Sequence, residues 1–132
     1  MHHRRLDLYY KPFSSFEGLE EEIGTWIANK DMLVLVAEDA GVIIGYAQVS
    51  VEPAPVYAAA KKMGVIYDVF VLPAHRRKKI ARQLVDRALE WFEKKHVRHI
   101  ELNVDVRNDE AMAFWSALGF SAFKLRMRFD RE

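Results

Sequence analysis

The chain has no cysteine. That one absence removes disulfides, Cys-ligated zinc and a thiol nucleophile together. Excess charge of one sign is missing too. Twenty Lys and Arg stand against nineteen Asp and Glu, a formal net charge of +1, so no broad field draws the chain to nucleic acid or to a membrane surface. Long apolar runs are also lacking. "MLVLVA" and "VIIGYAQVSV" fall far short of the ~20 residues that a bilayer-spanning helix needs. The opening "MHHRRLDLYY" is basic but has no apolar stretch behind it, so it does not read as a secretory signal. The five histidines are scattered and form no His-x-x-x-His pair, which argues against a metal site. The expectation is a cytoplasmic protein with no metal, no nucleic-acid partner and no membrane association.

What is present suits one globular domain over residues 1–132. Of these residues, 51% are hydrophobic, enough for an ordinary core. "FSSFEGLEEEIGTWIANK" spaces Phe16, Leu19, Ile23, Trp26 and Ile27 as a helix, with Ser14 or Ser15 as its cap. "DMLVLVAED" and "VIIGYAQVSVE" read as a hairpin about "EDAG". Glu52 to Gly64 contains two prolines and reads as a loop or short helix. "VIYDVFV" is a buried strand. A helix beginning near Arg76 then carries Ile80, Ala81, Leu84, Val85, Ala88 and Phe92 on one face. "HIELNVDV" alternates as a strand, "NDEAMAFWSALG" is a short helix ended by Gly119, and "FSAFKLRMRFD" alternates Phe123, Leu125, Met127 and Phe129 as a last strand. The order is mixed α/β about one central sheet.

The unusual stretch is His75, Arg76, Arg77, Lys78 and Lys79, five basic residues where a strand turns at Pro73 into a helix. The helix macrodipole is already positive there, so the charges are misplaced for a lone helix. Unpartnered first-turn amides together with Arg and Lys side chains suit an anion, and a pyrophosphate better than a single carboxylate. A solvated charge run is the competing explanation.

Val69, Val71, Pro73, Arg76 and Ala81 also follow the pattern hydrophobic-x-V-x-P-x-x-R-x-x-G-x-G/A. Further on, Asn108, Ala111, Phe114, Gly119 and Phe120 follow N-x-x-A-x-x-F-Y-x-x-x-G-F. In this order, and with "LVLVAEDAGVIIGYAQV" before them, the motifs resemble the GNAT superfamily of acyl-CoA-dependent N-acyltransferases over about Met32 to Phe129. The resemblance implies a mostly antiparallel mixed sheet with helices on both faces and a splay between the fourth and fifth family strands. It implies acetyl-CoA as donor and a small-molecule or peptide amine as acceptor, with direct attack in a ternary complex. Cofactor contacts would fall on Val69, Phe70, Val71, Arg76, Arg77, Lys78, Lys79, Ile80, Ala81, Asn108 and Trp115.

Two positions depart from the pattern. Lys79 replaces the central glycine; as a first-turn helical residue it is expected to have an ordinary negative φ. Trp115 stands where many members carry a tyrosine that protonates the departing thiolate. An indole N–H does not give up its proton, so that role is not carried over; a thiol with pKa ~8.5 leaves tolerably without it. Asp68 is the preferred base for the acceptor ammonium, acting through water, with Glu38 and Asp105 behind it; a purely structural hydrogen bond is the alternative role for Asp68. Tyr67 is expected on the opposite face from Asp68, in the core. Tyr46, Tyr57 and Met63 read as packing, with the lining of an acceptor pocket as the alternative. Unpaired sheet edges predict a homodimer. The rivals are a family member that binds acyl-CoA without turnover and a nucleic-acid-binding module.

Overall fold

The computed structural model describes residues 21–28, 31–56, 58–76 and 79–131. It divides into two compact units, residues 1–102 and 103–132. The first holds a five-stranded sheet whose spatial order follows the chain: β1 (Glu21–Ala28), β2 (Met32–Asp39), β3 (Val42–Pro53), β4 (Lys62–Val71) and β5 (Ile100–Leu102). β1 to β4 pair antiparallel, and β5 joins β4 in parallel. The expected mixed, mostly antiparallel sheet is therefore present.

β2 and β3 form the hairpin expected around "EDAG". Asp39 pairs with Val42, leaving a two-residue loop of Ala40 (φ 52°) and Gly41 (φ 83°). Both residues at positive φ make the primed turn whose twist matches that of the strands. The expected helix over Phe13 to Ile27 is corrected. Glu21–Ala28 is β1, paired with β2 from Glu21↔Asp39 to Ala28↔Leu33. "EEIGTWIA" satisfies period 2 as well as period 3.6, and its Ile23, Thr25 and Ile27 are β-branched, so a partner strand decides the outcome. Phe16, Leu19 and the candidate caps Ser14 and Ser15 lie outside the described residues.

The expected loop at Glu52 to Gly64 shrinks. β3 runs through Pro53, β4 starts at Lys62, and Ala54 N–H donates to the Lys61 carbonyl at 3.0 Å. Pro53 is tolerated because it ends its strand.

The helix α1 (Ile80–Lys94) packs against β2, β3 and β4. Its face of Ile80, Leu84, Val85, Ala88 and Phe92 is buried as the periodicity requires. Phe92, wholly buried, lies over Gly64 on β4. The opposite sheet face carries a second cluster of Val34, Val36 and Tyr46, flanked by Ile43 and Phe70. Both faces are dry, which explains the unbroken buried run Leu33–Glu38. α1 ends in a left-handed cap: His96 has φ 60°, and Val97 N–H reaches back to the Phe92 carbonyl at 2.9 Å.

The second unit contains α2 (Asp109–Ala117), begun by Asn108 and closed by Gly119 at φ 100°. Residues 120–131 form no regular element, so the expected last strand is corrected. Phe123, Leu125, Met127 and Phe129 keep the alternation of a strand but are exposed; alternation supplies a face, and a paired neighbour is what makes it a strand. "HIELNVDV" likewise yields only Ile100–Leu102 as β5.

Candidate active site

The site is built on β4, and two irregularities make it. The first is a bulge. Asp68 pairs with Gln48, but Ile66 pairs with Val49, so Tyr67 is an extra residue. A bulge shifts the side-chain alternation by one, so the buried residues Ile66 and Val71, an odd number of positions apart, can serve one face. It also corrects the reading of Tyr67. Tyr67 is 55% exposed and its hydroxyl donates to Glu52, which also accepts from Ser50 Oγ at 2.9 Å. It does not pack into the core.

The second irregularity is a splay. β5 pairs only with Gly64, Val65 and Ile66. From Tyr67 to Val71, β4 has no strand beside it on that side among the described residues. Hydrogen-bond alternation identifies the groups that look into the gap. Leu72 N–H donates to Ile44 O at 2.7 Å, so Phe70 and Asp68 face β3, while Val69 and Val71 turn their N–H and C=O away from it. Arg76 Nε confirms the direction by donating to Val71 O at 2.9 Å.

That arginine ties the strand to the turn that follows. Pro73–His75 form one 3-10 turn, Arg76 is right-handed, and its guanidinium lies 5.8 Å from the centre of the Phe70 ring. His75 Nδ1 is buried and has no hydrogen-bond partner among the described residues. Arg77 and Lys78 lie outside the described residues. α1 begins at Ile80 rather than near Arg76, so the basic run precedes the helix instead of forming its first turn. The first turn contains no acidic side chain and the N-cap makes no side-chain hydrogen bond, leaving its amides available to an anion.

The N-cap is Lys79, at φ 61° and ψ 21°. The expected negative φ is corrected. The chain keeps the left-handed bend that a glycine would make without strain. Lys79→Gly is therefore expected to stabilise the free protein by about 1 kcal/mol, glycine's extra freedom when unfolded offsetting part of the gain. A raised thermal midpoint checks this.

The carboxylates separate clearly. Asp68 accepts a 2.6 Å hydrogen bond from the buried Tyr46 hydroxyl. Glu38 is buried on β2. Asp105 is bound by Arg107 through its backbone N–H (2.9 Å), Nε (3.0 Å) and Nη2 (2.8 Å). The Arg107 hydrogen bonds hold the Asp105 carboxyl far below the usual range, which makes it a poor proton acceptor.

In the second unit, Asn108 Oδ1 accepts from Ala111 N at 3.0 Å and caps α2. Trp115 packs edge-on against Phe114 (5.0 Å) and Phe120 (5.2 Å). The structure thus brings together Val69, Phe70, Val71, Arg76 and the Lys79–Ala81 start of α1, with Asp68 on the same strand. The hydrogen bond from Tyr46 to Asp68 is not legible in the sequence, because it depends on the register that sets "YAQ" against "DVF".

The chain matches the model of the acetyltransferase (GNAT) family over residues 3–120. It is 23% identical over 112 residues to an uncharacterized N-acetyltransferase of Bacillus subtilis, covering 85% of this chain and 74% of that one. It is 29% identical over 114 residues to a spermidine N(1)-acetyltransferase of Vibrio cholerae, covering 85% of this chain and 62% of that protein. Among solved structures, the aminoglycoside N-acetyltransferase AAC(6')-Iy in complex with CoA superposes with a TM-score of 0.68 at 26% identity, over 79% of this chain and 68% of that one. The family match spans most of the chain, and the chain belongs to the GNAT acetyltransferase family.

Proposed function

We propose that this protein transfers an acetyl group from acetyl-CoA to a primary amine by direct attack within a ternary complex. The observation that carries the reading is the open edge of β4. The N–H groups of Val69 and Val71 and the Val69 carbonyl point to the side where, among the described residues, no strand pairs with β4. They lie shortly before the start of α1, whose N-cap makes no side-chain hydrogen bond.

The residues fit such a donor at both ends. An extended chain bearing amides can complete the Val69–Val71 edge as an added strand would. A backbone N–H there can also polarise a carbonyl in the manner of an oxyanion site. The first-turn amides of Ile80 and Ala81, with Arg76 and Lys79 beside them, suit a pyrophosphate, and Arg77 and Lys78 add charge by sequence. Acetyl-CoA, when bound, supplies the activated thioester. Asp68 takes the proton that an aliphatic ammonium, pKa ~10.4, must lose before it attacks. Trp115 moves no proton. The acceptor is an amine of the kind that the spermidine and aminoglycoside relatives are named for. The exposed row Phe123, Leu125, Met127 and Phe129 supports pairing of two copies.

Arg76→Ala tests the anion end. Acetyl-CoA affinity, measured by calorimetry, is expected to fall about tenfold, the loss of one charge-assisted contact. An affinity within twofold of wild type would remove Arg76 from the site. Thiol release over a panel of polyamines and aminoglycosides then tests turnover; binding without release would leave an acyl-CoA-binding protein.

A further inference from the structure

We propose that Tyr46 is a positioning residue for catalysis, acting through Asp68. The inference rests on the reading of Asp68 as the base. Tyr46 lies on β3 opposite Phe70, two residues along from the Gln48↔Asp68 pair and so on the same sheet face. It is 3% exposed. Its ring belongs to the cluster with Val34 and Val36, and its centre is 5.9 Å from that of Phe70. The ring therefore has a complete reason to be apolar, and phenylalanine would satisfy it. The hydroxyl needs a separate reason, because burying it costs free energy unless it is bonded. The bond it makes goes to Asp68 Oδ2 at 2.6 Å, a short distance typical of a hydroxyl donating to a carboxylate.

The bulge at Tyr67 gives this bond its meaning. Without the extra residue, strand alternation would send Asp68 to the α1 face, among Ile66 and Val71. With it, Asp68 reaches the Tyr46 face, at the position where β4 loses β5. An aspartate carboxylate rotates broadly about its last bond. A hydroxyl fixed in a packed ring and bonded to Oδ2 restricts that rotation and holds the carboxylate in one orientation. Tyr46 thus holds the base in register with the open edge of β4, and no bond to Tyr46 itself is made or broken in the reaction.

A double-mutant cycle of Tyr46→Phe and Asp68→Asn tests this, with rates measured by thiol release from acetyl-CoA on spermidine and an aminoglycoside. Tyr46→Phe alone is expected to lower kcat about tenfold, with the acetyl-CoA thermal shift unchanged, as loss of a hydrogen bond to a charged group would. In the Asp68→Asn background the same change is expected to cost less than about twofold, because no base is left there to position. Comparing the two backgrounds cancels loss of folded protein, and rates are normalised to sites titrated with CoA. An equal loss in both backgrounds overturns the proposal and makes Tyr46 a packing residue. A Tyr46→Phe rate equal to wild type overturns it while leaving the acetyltransferase reading intact. Wild-type inactivity on every amine overturns both.

Discussion

Asp68→Asn is expected to lower kcat/KM for amine acetylation by about a hundredfold to a thousandfold, within the range for loss of a general base. The reasoning starts from the acceptor. An aliphatic amine of pKa ~10.4 is about one part in a thousand neutral near pH 7.4, so a protein that acetylates it must accept a proton close to the reacting nitrogen. Asp68 is half-buried on the strand whose edge is open, and it is oriented by Tyr46. Asparagine keeps the shape and can still accept the Tyr46 hydrogen bond, so the fold and the acetyl-CoA thermal shift should be preserved. The pH profile separates this from a binding defect. The variant's rate should climb about tenfold per pH unit as free amine accumulates, whereas the wild type should flatten earlier. A variant within threefold of wild type would move the role elsewhere, to Glu38 first, since Arg107 already holds Asp105.

The sequence carried most of the fold because its strongest patterns coincide with strands that find partners. The hairpin of β2 and β3, the α1 face from Ile80 to Phe92 and the Gly119 stop were all legible, each resting on a local pattern with one physical solution. The splay followed from the resemblance alone; no period-2 rule says where two strands part. Three errors share a different origin. "EEIGTWIA" fits two periods, and only the β2 edge chooses between them. The Phe123 to Phe129 alternation describes a strand face, yet pairing in a sheet is what creates a strand, and residues 120–131 form no regular element. Tyr67 was placed by counting alternate residues across a bulge.

Lys79 teaches the same lesson at the site. The motif marked its position as one for glycine, but a residue name does not give φ. The value of 61° shows that the bend was retained and the glycine was not. The asymmetry is physical: one left-handed residue costs about 1–2 kcal/mol, a strain that a packed helix can carry. Ile80 beside it is wholly buried and anchors α1 in place. Geometry at the start of α1 is thus held by the core, not by the identity of the bending residue.

Gly64→Ala is expected to destabilise the protein by about 2 kcal/mol, within the range for overpacking a core, with a fall of roughly 6–10 °C in thermal midpoint. Gly64 has no need of a positive φ; its constraint is space. A Cβ built there would stand 2.6 Å from Phe92 Cε1 and 2.9 Å from two further ring carbons. Phe92 is wholly buried and cannot swing out to solvent. The strand cannot easily retreat either. Gly64 N–H donates to His99 O at 2.8 Å, and Gly64 pairs with Ile100 in one of the three contacts that hold β5 to β4. A displaced β4 would therefore loosen the short paired segment from which the splay opens, so the melting defect should be joined by a weaker acetyl-CoA thermal shift. Phe92→Leu supplies the control. Alone it should destabilise by leaving a gap, but in the Gly64→Ala background it should make room for the new methyl. The double variant is then more stable than the sum of the single losses by about 1 kcal/mol. Strict additivity of the two changes would mean that Phe92 is not what forbids a side chain at position 64.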